Sequence, residues 1–476
     1  MASAITVTDA RPKGRPVGLR PLAALPLVAL LGAVTWLVTA AAQQPIVLSP
    51  PAHRARGAAG WMLGPFQALD THVSSVPQEL HSDVVRVLVI VGAAWLLAWV
   101  TAPALPVRVV AGAVVLVHGV LFLSPPLSLT DVFNYELYGR MAALDGLNPY
   151  RAVPAQAATD PLYHLANWHH LRSPYGPLFT LTSEGLTVFG IHGWYWAWKV
   201  VVAMSSLGSV ALVAALAGRL GVSRQRAIAA VGLCPVLLIS EVGGLHQDML
   251  AMVCLLGAAW CLMRGRDADA PGWAAPAAGA LAVAAAGIKP SFVLVVGIVV
   301  LAARQRPRAI AGAAAAGAAL GAVVLALYGG ALPDVSTQSR LVSPLSVPNL
   351  VGLAAGHGGA DQAVRSAFQA VLVLVAAGAT AAVAVRREWA LSALGALLFC
   401  SVLTLSWVMP WYLIWSLPFI ALARPRALAP LAAVAACWLM IGGLPTVPGI
   451  LHSAGYYPTR LDTGRANHEA FHRLVR

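Results

Sequence analysis

A stretch that can do chemistry follows two prolines at the end of an apolar run: S-L-T-D-V-F-N-Y-E-L-Y-G-R-M-A-A-L-D-G-L-N-P-Y, residues 128–150. The pattern predicts a helix capped by Thr130 and ending before Gly146 and the Asn148-Pro149 turn. On it, Asp131, Asn134, Tyr135 and Tyr138 fall at i, i+3, i+4 and i+7, on one polar-aromatic face. A short amphipathic helix lying on a membrane surface fits this spacing. An acid so close to an apolar span is costly unless it is used, which makes Asp131 the candidate general base. Its bland alternative is a solvated interfacial helix with no catalytic role.

Further along the same loop comes N-W-H-H-L-R-S-P-Y-G-P-L-F, residues 167–179. His169, His170 and Arg172 stand within a few residues of Trp168 and Tyr175. The planar fork of Arg suits a phosphate, and aromatic faces suit sugar rings and interfacial lipid. An aromatic membrane anchor with surface charges is the competing reading. A zinc site is weaker, because no third ligand stands at a usual spacing from the paired histidines. Three further places draw notice. Gly244-Leu245-His246-Gln247-Asp248 reads as a tight outward turn that puts an imidazole and an acid at membrane depth. Lys289, before Pro290, breaks an apolar hairpin, although a lysine there can simply snorkel. W-V-M-P-W-Y-L-I-W, residues 407–415, reads as an aromatic turn at an interface.

The elements that must position these groups are apolar. Of 476 residues, 59% are hydrophobic and 10% charged, and the mean hydropathy is +0.75. A soluble chain carries about a quarter charged residues. The apolar blocks are 14 to 25 residues long, about what one bilayer crossing needs. The expected fold is therefore all-α, a polytopic transmembrane bundle of about 13 spans: 21–42, 86–103, 106–124, 193–217, 227–242, 250–263, 273–288, 291–304, 309–329, 364–385, 389–406, 409–423 and 427–444. Residues 176–190 are treated as interfacial or re-entrant. The first span is too long for a typical signal-peptide core, so it is read as retained. The Ala- and Gly-rich stretch 311–325 suits close helix packing in lipid.

The net charge of +13 does not point to nucleic acid. The 31 basic residues include 28 Arg, mostly in short clusters between apolar blocks. Seventeen of them, from Arg11 to Arg426, lie in the tail and in short alternate connections on one side, which should be cytoplasmic. The chain thus divides into a basic cytoplasmic tail (1–20), a transmembrane domain (21–444) and an extracytoplasmic tail (445–476). Residues 125–192 form the main extracytoplasmic loop. All five cysteines sit inside apolar blocks and read as packing residues. No Walker A motif, G-x-G-x-x-G, zinc spacing or serine nucleophile elbow is present, so nucleotide-driven work has no support.

In their order along the chain, these pieces resemble a family. They are Asp131 and Tyr135 in D-x-x-x-Y, G-R-M-A-A-L-D-G-L-N-P-Y (139–150), S-P-Y-G-P-L (173–178), H-Q-D (246–248), K-P (289–290) and P-W-Y-L-I-W (410–415). The chain resembles the GT-C membrane glycosyltransferases that use polyprenyl-phosphate sugars. Among them it looks closest to the actinobacterial polyprenol-phosphomannose-dependent α-1,6-mannosyltransferases of the MptA/MptB type. It departs from them at Gln247, where an H-N-D turn would have Asn. The resemblance implies transfer of mannose from polyprenyl-phosphate-mannose to a lipid-anchored or cell-envelope glycan acceptor of lipomannan type. The active site would face the extracytoplasmic side of the cell membrane, with no cofactor and no metal. Asp131 would take the acceptor's proton. Tyr135, His169, His170, Arg172, Tyr175, His246, Asp248 and Lys289 would hold the donor's phosphate or sugar. A transporter or flippase of a lipid-linked sugar, using intramembrane charges and broken helices, is the alternative from another class. An arabinosyltransferase is the alternative within the same chemistry.

Overall fold

A computed structural model describes the chain except residues 1–19, 47, 49–59, 70–72, 129–130, 424–426, 443, 445, 454–460 and 476. The described residues form helices, 3₁₀ turns and loops, with no β-strand among them. Each expected apolar block is helical, but the helices differ in length. Six are long and apolar enough to cross a membrane: Pro21–Gln43, Pro77–Ala104, Pro177–Arg219, Arg306–Tyr328, Gln362–Val385 and Arg387–Thr404. Arg224–Gly232 and Val236–Val242 together make a seventh, bent by 46°. Val107–Phe122, Ala274–Ile288, Pro290–Ala302, Pro410–Leu422 and Leu428–Gly442 are apolar but shorter. Helix length alone therefore supports six or seven crossings.

The segment 176–190, expected to be interfacial or re-entrant, is mostly helical. It joins the next helix in a 43-residue run, Pro177–Arg219, too long for one bilayer crossing at about 20 residues each. A 3₁₀ turn at Thr187–Phe189 interrupts the run, and Gly190 has φ 68°. The run's first part, Pro177–Leu186, packs against the helix Asp131–Ala143.

Close packing is made by small residues where two helices cross. A β-carbon on Gly279 would collide with the carbonyl of Ala309, and one on Gly312 with that of Pro276. The helices Ala274–Ile288 and Arg306–Tyr328 therefore touch backbone to backbone, as the Ala/Gly composition suggested. The rest of Arg306–Tyr328, like Gln362–Val385, is almost wholly exposed, which suits lipid contact. The core lies between Arg20–Gln43, Pro77–Thr101 and Val107–Phe122 at one end of the chain, and between Gly190–Arg219 and Asp248–Arg264 further on. Lys199 is buried in that core. Its ammonium donates to the carbonyls of Phe122 (2.8 Å) and Ser124 (2.5 Å), closing the end of Val107–Phe122.

The expected surface helix is a finding against expectation. Asp131–Ala143 starts and stops close to where its sequence implies, with Gly146 at φ 63°; Thr130 lies outside the described residues. Yet it does not lie on a surface: Asp131 to Gly139 are all buried, together with Met141. A helix covered all round needs no apolar stripe. Loop 144–176 and the helix Pro177–Leu186 supply the cover.

Candidate active site

The polar face of Asp131–Ala143 grips the backbone of the loop beyond it. Asn134 Oδ1 accepts from the amides of Asn167 (3.0 Å) and Trp168 (3.2 Å), and its Nδ2 donates to the Trp168 carbonyl (3.3 Å). Tyr138 donates its hydroxyl to the Leu171 carbonyl at 2.7 Å. The loop so held presents the Trp168 indole, whose Nε1 donates to Asp131 Oδ1 at 3.0 Å. Asp131 is thus fixed by its helix and by an N–H aimed at one oxygen, and is only 7% exposed.

His246 stands behind the other oxygen. Its Nδ1 lies 2.5 Å from the Ser240 carbonyl; a carbonyl only accepts, so Nδ1 carries the proton. Nε2 then faces Asp131 Oδ2 at 3.6 Å and has no other partner. That separation is too long for a hydrogen bond and is an ion-pair distance when the imidazole is protonated. The ring stacks on Trp411 with centroids 3.5 Å apart. A broken helix makes this placement possible. Pro235 separates Arg224–Gly232 from the π-helical turn Val236–Val242, and Leu245 takes φ 59°. Such departures from α-geometry expose backbone carbonyls like Ser240's to side chains and recur at functional sites.

Asp248 opens the helix Asp248–Arg264 and is fully buried, where the helix N-terminus favours a negative charge. Its Oδ1 accepts from Trp415 Nε1 (2.6 Å) and from the ammonium of Lys289. That ammonium also sits 4.3 Å from the Tyr412 ring and 4.7 Å from the Trp415 ring. Lys289 therefore does not snorkel; it is held in an ion pair walled by aromatic faces. Glu241 is buried beside them. Its Oε1 accepts from the Met249 amide (2.6 Å), while Oε2 has no hydrogen-bond partner.

These groups surround one cavity of about 390 Å³, lined by Asp131, Tyr135, Trp168, Tyr175, Asp248 and Lys289, with Trp407, Trp411, Tyr412 and Trp415 as further walls. Tyr135 meets Tyr175, Phe179 and Trp198 edge to face at 5.0, 5.1 and 5.9 Å. Burial holds the Tyr135, Tyr138 and Tyr175 phenols well above their ordinary range, so they remain neutral hydrogen-bonding groups. Glu136 points away from the cavity; burial pushes its carboxyl up to about 9, against the lowering effect of nearby Arg140. The C-terminal helix Asp462–Val475 closes the aromatic wall. Phe471 lies against Trp168 at 5.6 Å and Trp407 at 5.9 Å.

Of the residues singled out in the sequence, the structure brings together Asp131, Tyr135, Tyr175, Asp248 and Lys289 around the cavity, with His246 directly behind Asp131. It does not bring His169, His170 or Arg172 into it. His169 stacks on Tyr163 and bonds to that residue's carbonyl at 3.1 Å. His170 is exposed, its amide donating to the Leu474 carbonyl (2.9 Å), and Arg172 is exposed as well. The tryptophans at 411 and 415, read as interface anchors, are buried inside the site. Sequence reasoning missed Trp168 as Asp131's partner, and it missed Glu241 and Arg365; a lone acid inside the apolar block 227–242 was the available signal for Glu241. Among the described residues no group of three or more His, Cys, Asp or Glu is arranged to hold a metal.

A buried carboxylate at the wall of a cavity, set among helices of membrane-crossing length, fits a membrane protein with an interior polar site. The family follows from comparison with known sequences. Residues 55–305, just over half the chain, match the MptA/MptB family model described as alpha-(1->6)-mannopyranosyltransferase, N-terminal domain. The chain belongs to this family. It is 27% identical over 347 residues to a probable alpha-(1->6)-mannopyranosyltransferase of Mycolicibacterium smegmatis, covering 62% of each chain. It is 28% identical over 371 residues to an alpha-(1->6)-mannopyranosyltransferase of Mycobacterium tuberculosis, again 62% of each. Alpha-(1->6)-mannopyranosyltransferase B of Corynebacterium glutamicum is 25% identical over 337 residues, covering 62% of this chain and 56% of that protein. The chain spans about three-fifths of the length of these relatives. No solved structure matches it significantly.

Proposed function

We propose that the protein is a membrane mannosyltransferase that moves mannose from polyprenyl-phosphate-mannose to a hydroxyl of a lipid-linked or cell-envelope glycan, an α-1,6 chain of lipomannan type. The observation that carries this reading is Asp131: a buried carboxylate held by Trp168 at the wall of a cavity that also reaches exposed apolar residues, Val293 and Leu294. An amphipathic donor needs both ends of such a cavity.

In the reaction, the acceptor oxygen attacks the anomeric carbon as the bond from that carbon to the phosphate oxygen breaks. Asp131 takes the acceptor's proton, and polyprenyl phosphate leaves with the bonding electrons. One displacement inverts the anomeric configuration and requires only this base. His246, its Nδ1 committed to Ser240, offers Nε2 as the next proton site or, once protonated, as a counter-charge to the carboxylate. The aromatic walls supply stacking faces for sugar rings. Neither nucleotide nor D-x-D metal site is required by this chemistry. The names of the relatives favour glycosyl transfer over transport. Membranes supplied with radiolabelled polyprenyl-phosphomannose test the reading: the wild type should transfer label and Asp131→Asn should not. Equal transfer by both would remove Asp131 from the mechanism.

The site would face away from the cytoplasm, with loop 125–192 as its main extracytoplasmic part, Arg clusters inside and about 13 crossings in all. An impermeant thiol reagent should label Ala158→Cys, an exposed loop position, in intact cells. Labelling only after lysis would overturn this orientation.

A further inference from the structure

The leaving group of the proposed reaction is a lipid phosphate, and none of the basic groups that the resemblance offered for it is free in the cavity; His246 does not line it and bonds to the Ser240 carbonyl. Arg172 lies outside, and Lys289 is committed to Asp248 between two aromatic rings. A third cation lines the cavity. Arg365 stands in the first turn of Gln362–Val385, and among the described residues it has no carboxylate within ion-pair distance. Its guanidinium spends one N–H on the Arg340 carbonyl at 3.0 Å, leaving further donors of the fork unspent. The nearest acid in sequence, Asp361, is occupied by the Val364 amide (2.8 Å) and His357 Nδ1 (2.7 Å).

The helix carrying Arg365 also shows what sort of anion fits. Arg365, Gln369 and Leu372 all line the cavity, and at i, i+4 and i+7 they form one stripe. The stripe passes from charged through polar to apolar as the helix runs on into its lipid-exposed length. The helix Val293–Ala302 packs against this one, and its Val293, 62% exposed, and Leu294, 40% exposed, line the cavity as well. We infer that Arg365 with Gln369 is the phosphate subsite for a polyprenyl phosphate, and that Leu372, Val293 and Leu294 take the first apolar units of its tail. A free phosphate would use the cation alone; the apolar stripe continuous with it favours the lipid. The inference rests on the donor class proposed above but is tested apart from transfer.

The measurement is equilibrium binding of radiolabelled, sugar-free polyprenyl phosphate to the purified full chain in lipid nanodiscs. The competitors are inorganic phosphate and the uncharged polyprenol. Wild type should bind saturably. Arg365→Ala should weaken binding by tenfold or more, and Arg365→Lys less, because a point charge replaces the two-pronged fork. Polyprenol should show no dependence on residue 365, and inorganic phosphate should compete poorly. Thermal unfolding of both variants shows whether they fold; if Arg365→Ala does not, the Lys variant and an Arg365→Gln variant carry the test. Unchanged binding in a folded Arg365→Gln or Arg365→Ala protein would overturn the inference, as would transfer by a wild type that binds no polyprenyl phosphate. Strong competition by inorganic phosphate would overturn the lipid part. Binding that depends on Arg365 without any mannose transfer would instead sustain the subsite and sink the proposed reaction.

Discussion

The segments 167–172 and 246–248 carry similar side chains, histidines beside a charge and near aromatic rings, and they end in opposite places. In N-W-H-H-L-R the tryptophan and Leu171 line the cavity, the tryptophan bonded to Asp131, while neither histidine nor the arginine does. In H-Q-D all three side chains are buried, and two of them touch the machinery: His246 behind Asp131, and Asp248 on Lys289 and Trp415. The difference lies in what the backbone does. Loop 167–172 is held through its amides and carbonyls by Asn134 and Tyr138, which leaves the side chains of His170 and Arg172 exposed. The 246–248 turn closes a broken helix inside the apolar layer, where every polar atom must find a partner or bear its desolvation. Residue type suggests chemistry, but enclosure selects which copy of it takes part.

Four substitutions can break that comparison. Asp131→Asn should lower the transfer rate by about 10²–10⁴-fold, the usual range for loss of a general base, with the protein still folded and inserted. A variant keeping more than about a tenth of the rate would argue against the role. Trp168→Phe keeps the ring against Phe471 but deletes the N–H to Asp131 Oδ1. A hydrogen bond to a charged group is worth about 1.5–3 kcal/mol, so kcat should fall roughly tenfold while the melting temperature stays close to wild type. If stability falls with activity, Trp168 matters to packing and not to the base. Arg172→Ala and His170→Ala should change donor KM by about twofold or less, as exposed substitutions do. A large rise in KM for Arg172→Ala would return the phosphate contact to the 167–172 loop and count against Arg365.

The helical bundle was legible because hydropathy reports which blocks avoid water, and each expected apolar block is indeed helical. Crossing number was less so, since hydropathy does not see the bend at Pro235 or the overlong run Pro177–Arg219. Asp131, Tyr135, Asp248 and Lys289 were legible as ionisable or polar groups in apolar surroundings. What the sequence hid was pairing across distance. Trp168 meets Asp131 from 37 positions away, and Trp415 meets Asp248 from 167. Nothing in local spacing encodes either bond. Arg365 was hidden for the opposite reason: beside Asp361 and Gln362 it resembles any polar helix start.

One backbone contact stands at the edge of the cavity. Gly176 donates its amide to the Ile288 carbonyl at 2.9 Å, and a β-carbon there would strike the Gly287 backbone. The residues next to this staple are Tyr175 and Lys289, both cavity-lining. Main chain bonded to main chain ties the segment that bears the ring to the segment that bears the ammonium. Other parts of the wall are built differently, from the short turn Val335–Ser339 and the helix that carries Arg365. One stretch of the chamber wall is thus tied backbone to backbone, whereas the stretch at Val335–Ser339 is a short turn with no buried residue.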